Sequence, residues 1–172
     1  DKVGDGLFQD IMAMPEYYLT QSELEIFSNK TSEIIDKIVS KRGSFDLIEL
    51  GAGDAMKSTY LLEELVKRGT DFTYMPIDIS GNILSILKKE LNLKLPSLKI
   101  DILEGEYFEM LEKATSISTR RKVVLFLGGN IGNMDLEDAK KFCQYLKDKL
   151  SPNDIVLIGF DLKKNPQIIL DA

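Results

Sequence analysis

The sequence contains no histidine. That absence excludes Ser-His-Asp triads, Cys-His dyads and the common zinc sites, each of which needs an imidazole as base or ligand. Chemistry on this chain therefore favours a cofactor that supplies the reactive group, with the protein positioning it. Cysteine is nearly absent too. The lone Cys143 cannot form an internal disulfide, which fits a reducing cytoplasm. No apolar run approaches the roughly 18 residues of a membrane span, so no membrane partner is expected. Basic residues are outnumbered, with 22 Lys and Arg against 28 Asp and Glu and a net charge of −6. An isoelectric point near 4.8 leaves no basic face for phosphates and argues against a nucleic-acid partner. The chain opens on Asp1 without an initiator Met and without a signal peptide, so its natural N-terminus is expected upstream.

What is present is an ordinary globular composition, 44% hydrophobic and 29% charged, in 172 residues, enough for one domain. From Ser44 onward short β-rich runs alternate with helical patterns. Phe45 to Leu50 reads as a strand and about Lys57 to Arg68 as a helix with Leu61, Leu62, Leu65 and Val66 on one face. Phe72 to Asp78 is the next strand, and Ser80 caps a helix from about Gly81 to Leu91. Ser97 to Leu103 and Lys122 to Leu127 follow as strands around a helix starting near Tyr107, the second strand being a continuous β-branched and apolar run. Asp135 caps a helix that carries Ala139, Phe142, Cys143, Leu146 and Leu150 on one face, and Ile155 to Phe160 is the last strand. Strand-helix alternation of this kind predicts an α/β fold of about five parallel strands with helices on both faces. A helical segment precedes it. Leu7, Phe8, Ile11 and Met12 predict a first helix stopped by Pro15, and Thr20 with Glu23 predicts a capping box for a second. Between them Pro15 to Thr20 reads as an irregular link whose adjacent tyrosines pack the preface onto the sheet. Residues 1–43 are thus expected to pack on the core and cover the active site, and residues 44–172 to form a cofactor-binding core.

Ligands of a doubly wound sheet bind beyond the carboxyl ends of its strands. The sequence places unusual residues there. Gly51 and Gly53 close the first strand and let backbone approach a ligand with N–H groups free for an anion. Met56 stands where a dinucleotide fingerprint has its third glycine, and Glu49 precedes the pair, which shifts the balance from NAD toward S-adenosyl-L-methionine. Asp78 ends the second strand where an acid accepts ribose hydroxyls, although it also suits a helix N-terminus beside Ser80. Glu106 and Tyr107 could edge and cover an adenine, or be surface residues. Lys57 opposes the dipole at its helix start, which a carboxylate ligand would explain, although exposed lysines at helix starts are also common. The stretch Gly128-Gly129-Asn130-Ile131-Gly132-Asn133 is costly for stability and suited to a ligand loop. Asp101, Glu104 and Glu106 lack a metal-ligand rhythm, and no metal is assigned.

Five segments together resemble the histidine-specific S-adenosylmethionine-dependent methyltransferases. They are Gly6-Leu7-Phe8, Met14 to Thr20 with Glu23, Glu49 to Gly53 with Lys57, Phe126 to Asn133, and Gly159 to Lys164. The resemblance implies a Rossmann-like class I methyltransferase core. It implies that Gly51 and Lys57 lie along the methionine part of the cofactor, that Asp78 holds the ribose, that Glu106 and Tyr107 meet the adenine, and that Gly128 lines the pocket. It implies that Tyr17 and Asn133 contact an amino acid substrate, L-histidine, near its amine and carboxylate. It further implies a C-terminal region, beyond Ala172, that builds much of the substrate pocket, and an uncovered edge on the last strand here. The alternatives are a non-catalytic Rossmann-like module and, less favoured because of Met56, an NAD-dependent oxidoreductase.

Overall fold

The computed structural model describes residues 6, 10, 11, 14, 17–41 and 43–163. The expected first helix through Leu7, Phe8 and Met12 and its stop at Pro15 fall outside them, apart from Ile11, which is helical and exposed. Helix α1 spans Tyr18–Val39. The core follows as β1 (Phe45–Leu50), α2 (Thr59–Lys67), β2 (Phe72–Asp78), α3 (Gly81–Lys94), β3 (Lys99–Ile100), β4 (Leu103–Glu104), α4 (Tyr107–Ile117), β5 (Arg121–Phe126), a 3-10 turn (Asn130–Asn133), α5 (Leu136–Lys149) and β6 (Ile155–Ile158).

All strand pairs are parallel, in the order β3-β2-β1-β5-β6, with β4 also on β2. The expected third strand is therefore two short pieces. Tyr74 pairs with Ile100 and Ile77 with Leu103, so the register is continuous across the gap. Pro76 sits opposite that gap and has no N–H to give a ladder. Among the described residues β6 pairs only with β5 and forms one edge of the sheet.

Both faces of the sheet are covered, which is why its central strands are apolar almost throughout. On one face Phe45, Leu47, Phe72, Val123 and Leu125 pack with Leu61, Leu62 and Leu65 of α2, Leu87 and Leu91 of α3, and Phe27, Ile35 and Ile38 of α1. On the other, Ile48, Leu50, Met75, Ile77, Val124 and Phe126 meet Met110, Leu111 and Ala114 of α4 and Phe142 and Leu146 of α5. The helical preface thus shares the first core.

Three expectations need correction. Cys143 is exposed rather than on the buried face, because Phe142 takes the contact with the Phe126 ring at 4.7 Å and the next residue turns away. Helix α1 opens at Tyr18, so the irregular link is shorter than expected and Thr20 lies inside the helix. No side chain caps it at Tyr17, and Glu23, read as the far half of a capping box, points elsewhere. Ser80 and Asp135 do cap α3 and α5, accepting from Ile83 N and Asp138 N.

Candidate active site

The strand order reverses at β1, since the chain passes to β2 on one side and later to β5 on the other. Such a reversal leaves a crevice at the carboxyl ends of the two diverging strands. The loops after β1, β2, β4 and β5, those singled out from the sequence, all open at this end.

Gly51 and Gly53 take left-handed backbone with φ of +69° and +54°. Their turn is fastened by the N–H groups of Gly51 and Ala52, which donate to Ile77 O at 2.9 and 3.0 Å. Gly53 N donates to Asp78 Oδ2 at 3.1 Å, while Asp78 Oδ1 accepts from Ser80 N at 2.9 Å. Asp78 therefore ties the glycine turn to the start of α3, which matches the helix-terminus reading of this residue. Tyr107 lies across the same turn, so that a Cβ on Gly51 would stand 2.7 Å from the phenol oxygen. Burial pushes the Tyr107 hydroxyl above its ordinary pKa, and the charges of Asp78 and Glu106 add to that. Glu106 itself is exposed on the rim, at the residue before α4.

The second half of the crevice is built around Lys57. Helix α2 begins only at Thr59, so Lys57 lies in the preceding turn and not at a helix start. Its ammonium donates to Glu23 Oε2 at 2.6 Å, and Gly128 N donates to both Glu23 oxygens at 2.9 Å. Lys57 Nζ lies 3.6 Å from a Cβ built on Gly128, so the two expected cofactor contacts do stand together. Gly128 and Gly129 have φ of +79° and +66°, the turn that lifts the chain off β5 into the 3-10 turn. Asn130 braces that turn through Leu127 O at 2.9 Å. Asn133, the last residue of the turn, is exposed, and Tyr17 is half-buried just before α1. Their segments approach at Leu19, whose Cδ1 would lie 3.4 Å from a Cβ on Gly129.

Between the halves sits Glu49, 3% exposed, accepting from Tyr74 Oη at 2.5 Å. Burial raises its pKa to about 7, against the opposing hydrogen bonds of Ser58 and Tyr74 and the charge of Lys57. Sequence reasoning noted Glu49 only as an acid before a glycine pair, and missed Glu23 as part of the crevice. Its signals were its place beside the Met14 to Thr20 segment among those that carry the resemblance, and Gly159, a residue without a side chain at the end of β6. Among the described residues no group of three or more Cys, Asp or Glu side chains is placed to hold a metal ion.

Residues 1–172 match the family described as histidine-specific methyltransferase, SAM-dependent. The chain belongs to this family. It is 34% identical to a histidine N-alpha-methyltransferase of Mycolicibacterium smegmatis, over 96% of this chain and 50% of that protein. It is 31% identical to a protein of the same name from Mycobacterium tuberculosis, over 100% of this chain and 52% of that one. The chain thus spans about half the length of the curated relatives it matches. A putative class I S-adenosylmethionine-dependent methyltransferase of Listeria monocytogenes superposes with a TM-score of 0.52 at 13% identity, covering 83% of this chain and 46% of that one. That likeness shows the fold alone, the class I methyltransferase core.

The methyltransferase cofactor fits the residues of this crevice. Two glycine turns leave its walls without side chains at Gly51 and Gly128. A carboxylate offers about four acceptor sites, and the two N–H groups on Asp78 leave capacity for ribose hydroxyls. An ammonium carries three donors, and Glu23 engages one at Lys57, so the cation can also meet a ligand carboxylate.

Proposed function

We propose that the full-length protein transfers methyl groups from S-adenosylmethionine to the α-amine of an amino acid, L-histidine. The observation that carries this is the placing of Lys57 beside the Gly128 amide at the sheet's switch point, with Asp78 and Tyr107 across the Gly51 turn. When bound, the cofactor supplies an electrophilic methyl on a sulfonium sulfur. Lys57 takes the cofactor's carboxylate, Asp78 its ribose, and Tyr107 with Glu106 the adenine. Gly51, Gly53 and Gly128 keep the walls open. Tyr17 and Asn133 hold the amino acid so that a neutral amine faces the methyl. The protein's contribution is then alignment and exclusion of water, and proximity of this kind supplies most of the rate. No side chain of the chain is modified. Residues 1–43 cover the crevice and residues 44–172 bind the cofactor. The names of the mycobacterial relatives and of the matching family support the histidine acceptor. Among the described residues no helix is long and apolar enough to cross a membrane. The single Cys143 supports a cytoplasmic enzyme, and the net charge of −6 supports a small molecule rather than a nucleic acid as its partner.

The test is calorimetric titration of S-adenosylhomocysteine into the full-length protein, followed by methyl transfer across the amino acids. Saturable binding with methylation strongest on histidine is expected. A folded protein that shows no binding heat overturns the assignment, and binding with another preferred amino acid corrects the acceptor.

A further inference from the structure

Glu23 is a residue of the crevice with no role in the reading above, and its surroundings are specific. Its side chain is 12% exposed and its partner Lys57 is 17% exposed, so the pair is largely shielded from water and salt. Both carboxylate oxygens lie 2.9 Å from Gly128 N, and Oε2 lies 2.6 Å from Lys57 Nζ. A Cβ on Gly159 would run into Oε1, so the end of β6 must lack a side chain for the carboxylate to stay where it is. Three segments distant in sequence therefore close on one carboxylate carried by α1. These are the turn before α2, the Gly128 turn after β5, and the end of β6.

The charge balance gives this arrangement a consequence. Lys57 without Glu23 would be a partly buried cation lacking its hydrogen-bonded counter-ion, with the Glu49 carboxyl still near by, and the Gly128 turn would lose the acceptor that orients its N–H. With Glu23 in place the ammonium is aimed, and two of its three donors remain for a ligand. The same side chain anchors α1, at whose start Tyr17 lies, to the turn that leads to Asn133. We infer that Glu23 is a positioning residue for methyl transfer, fixing Lys57 and the Gly128 turn and holding α1 in register with both. The inference rests on the function proposed above.

The experiment uses the full-length protein with the variants Glu23→Gln, Glu23→Asp and Gly159→Ala. For each it measures S-adenosylhomocysteine affinity, kcat and KM for histidine at saturating S-adenosylmethionine, and the melting temperature. Glu23→Gln keeps the shape and removes the charge. It is expected to lower kcat by about a hundredfold, the cost of misplacement near 1 Å, and to raise KM for histidine about tenfold. Glu23→Asp, one methylene shorter but charged, recovers part of kcat. Gly159→Ala displaces the carboxylate without altering it and is expected to reproduce the kcat loss. Unchanged kcat and KM in Glu23→Gln overturn the inference. So does a loss that follows the melting temperature alone and is equal in Gln and Asp, since that marks a purely structural carboxylate. An inactive wild type that binds no S-adenosylhomocysteine removes the proposed function and this inference together. An active wild type matched by Glu23→Gln removes the inference only.

Discussion

Glu49 is a carboxyl group buried with a tyrosine hydroxyl, and its protonation is coupled to folding. Its ordinary value of 4.5 is raised to about 7, chiefly by burial. The folded state therefore holds a proton between those values that the unfolded chain releases, so stability falls as pH rises from about 4.5 through 7. The full shift corresponds to about 3 kcal/mol, read as an upper bound. Glu49→Gln keeps an acceptor for Tyr74 Oη and cannot ionise. Its denaturation midpoint is expected to vary less than that of the wild type between pH 5 and 8, and to match or exceed it at pH 8. A wild-type midpoint that rises over that interval contradicts the argument. Gly51 carries a second residue-scale prediction. Alanine there meets a left-handed φ of +69° and the Tyr107 phenol at 2.7 Å. The backbone alone costs about 1 kcal/mol, and displacement of the ring is expected to weaken S-adenosylhomocysteine binding about tenfold, a 1.4 kcal/mol effect by calorimetry. The positions of Gly51, Asp78 and Gly128 were legible in the sequence, because strand ends and glycines are local signals, whereas Lys57, expected at a helix start, lies in the turn before it. Lys57 as the partner of Glu23 and Tyr74 as a partner of Glu49 were not legible, since each lies more than twenty residues away and no local pattern names it.

Helix starts show the same limit at the scale of elements. Thr20 and Glu23 have the spacing of a capping box, whereas Asp135 precedes an apolar helix face with no Glu or Gln three residues on. The structure reverses their value. Asp135 Oδ1 accepts from Asp138 N at 2.8 Å, whereas α1 begins two residues before Thr20 with no side-chain cap. Asp135→Ala is therefore expected to cost about 1 kcal/mol in urea denaturation, and Thr20→Ala less than about 0.5 kcal/mol. Equal costs would restore the capping box. The strands were legible because burial on both faces leaves continuous apolar runs, as in β5, and because turns fall between them. The break between β3 and β4 escaped notice, since its cause lies on another strand. Pro76 of β2 cannot complete the ladder opposite Asp101 and Ile102, and nothing in the Ser97 to Leu103 run announces that.

Across the whole molecule the two ends of the sheet carry different burdens. The carboxyl ends hold the glycine turns, Lys57 and Asp78, whereas the opposite ends hold a buried ion pair. Asp46 of β1 and Lys122 of β5 are register partners, 1% and 4% exposed, with the ammonium 2.6 Å from the carboxylate and 2.9 Å from Ser118 O. Arg120 adds a second, longer approach to Asp46 at 3.7 Å. This cluster fastens β1 to β5, the two strands whose far ends diverge around the crevice. Removing one member leaves the other buried charge without its nearest counter-ion, a loss of about 3–5 kcal/mol. Lys122→Met keeps an apolar stem of similar length and tests this directly. Its unfolding free energy is expected to fall by that amount, softened by whatever Arg120 supplies. Because the pair lies three residues from Glu49 along β1, it touches none of the residues assigned to the cofactor. Affinity for S-adenosylhomocysteine, measured well below the variant's melting temperature, is therefore expected to stay within about twofold of wild type. A variant of undiminished stability would show that the pair does little to hold the sheet together. A large loss of affinity in a folded protein would show instead that the two ends of β1 are coupled, and that the crevice depends on how tightly β1 and β5 are fastened at their base.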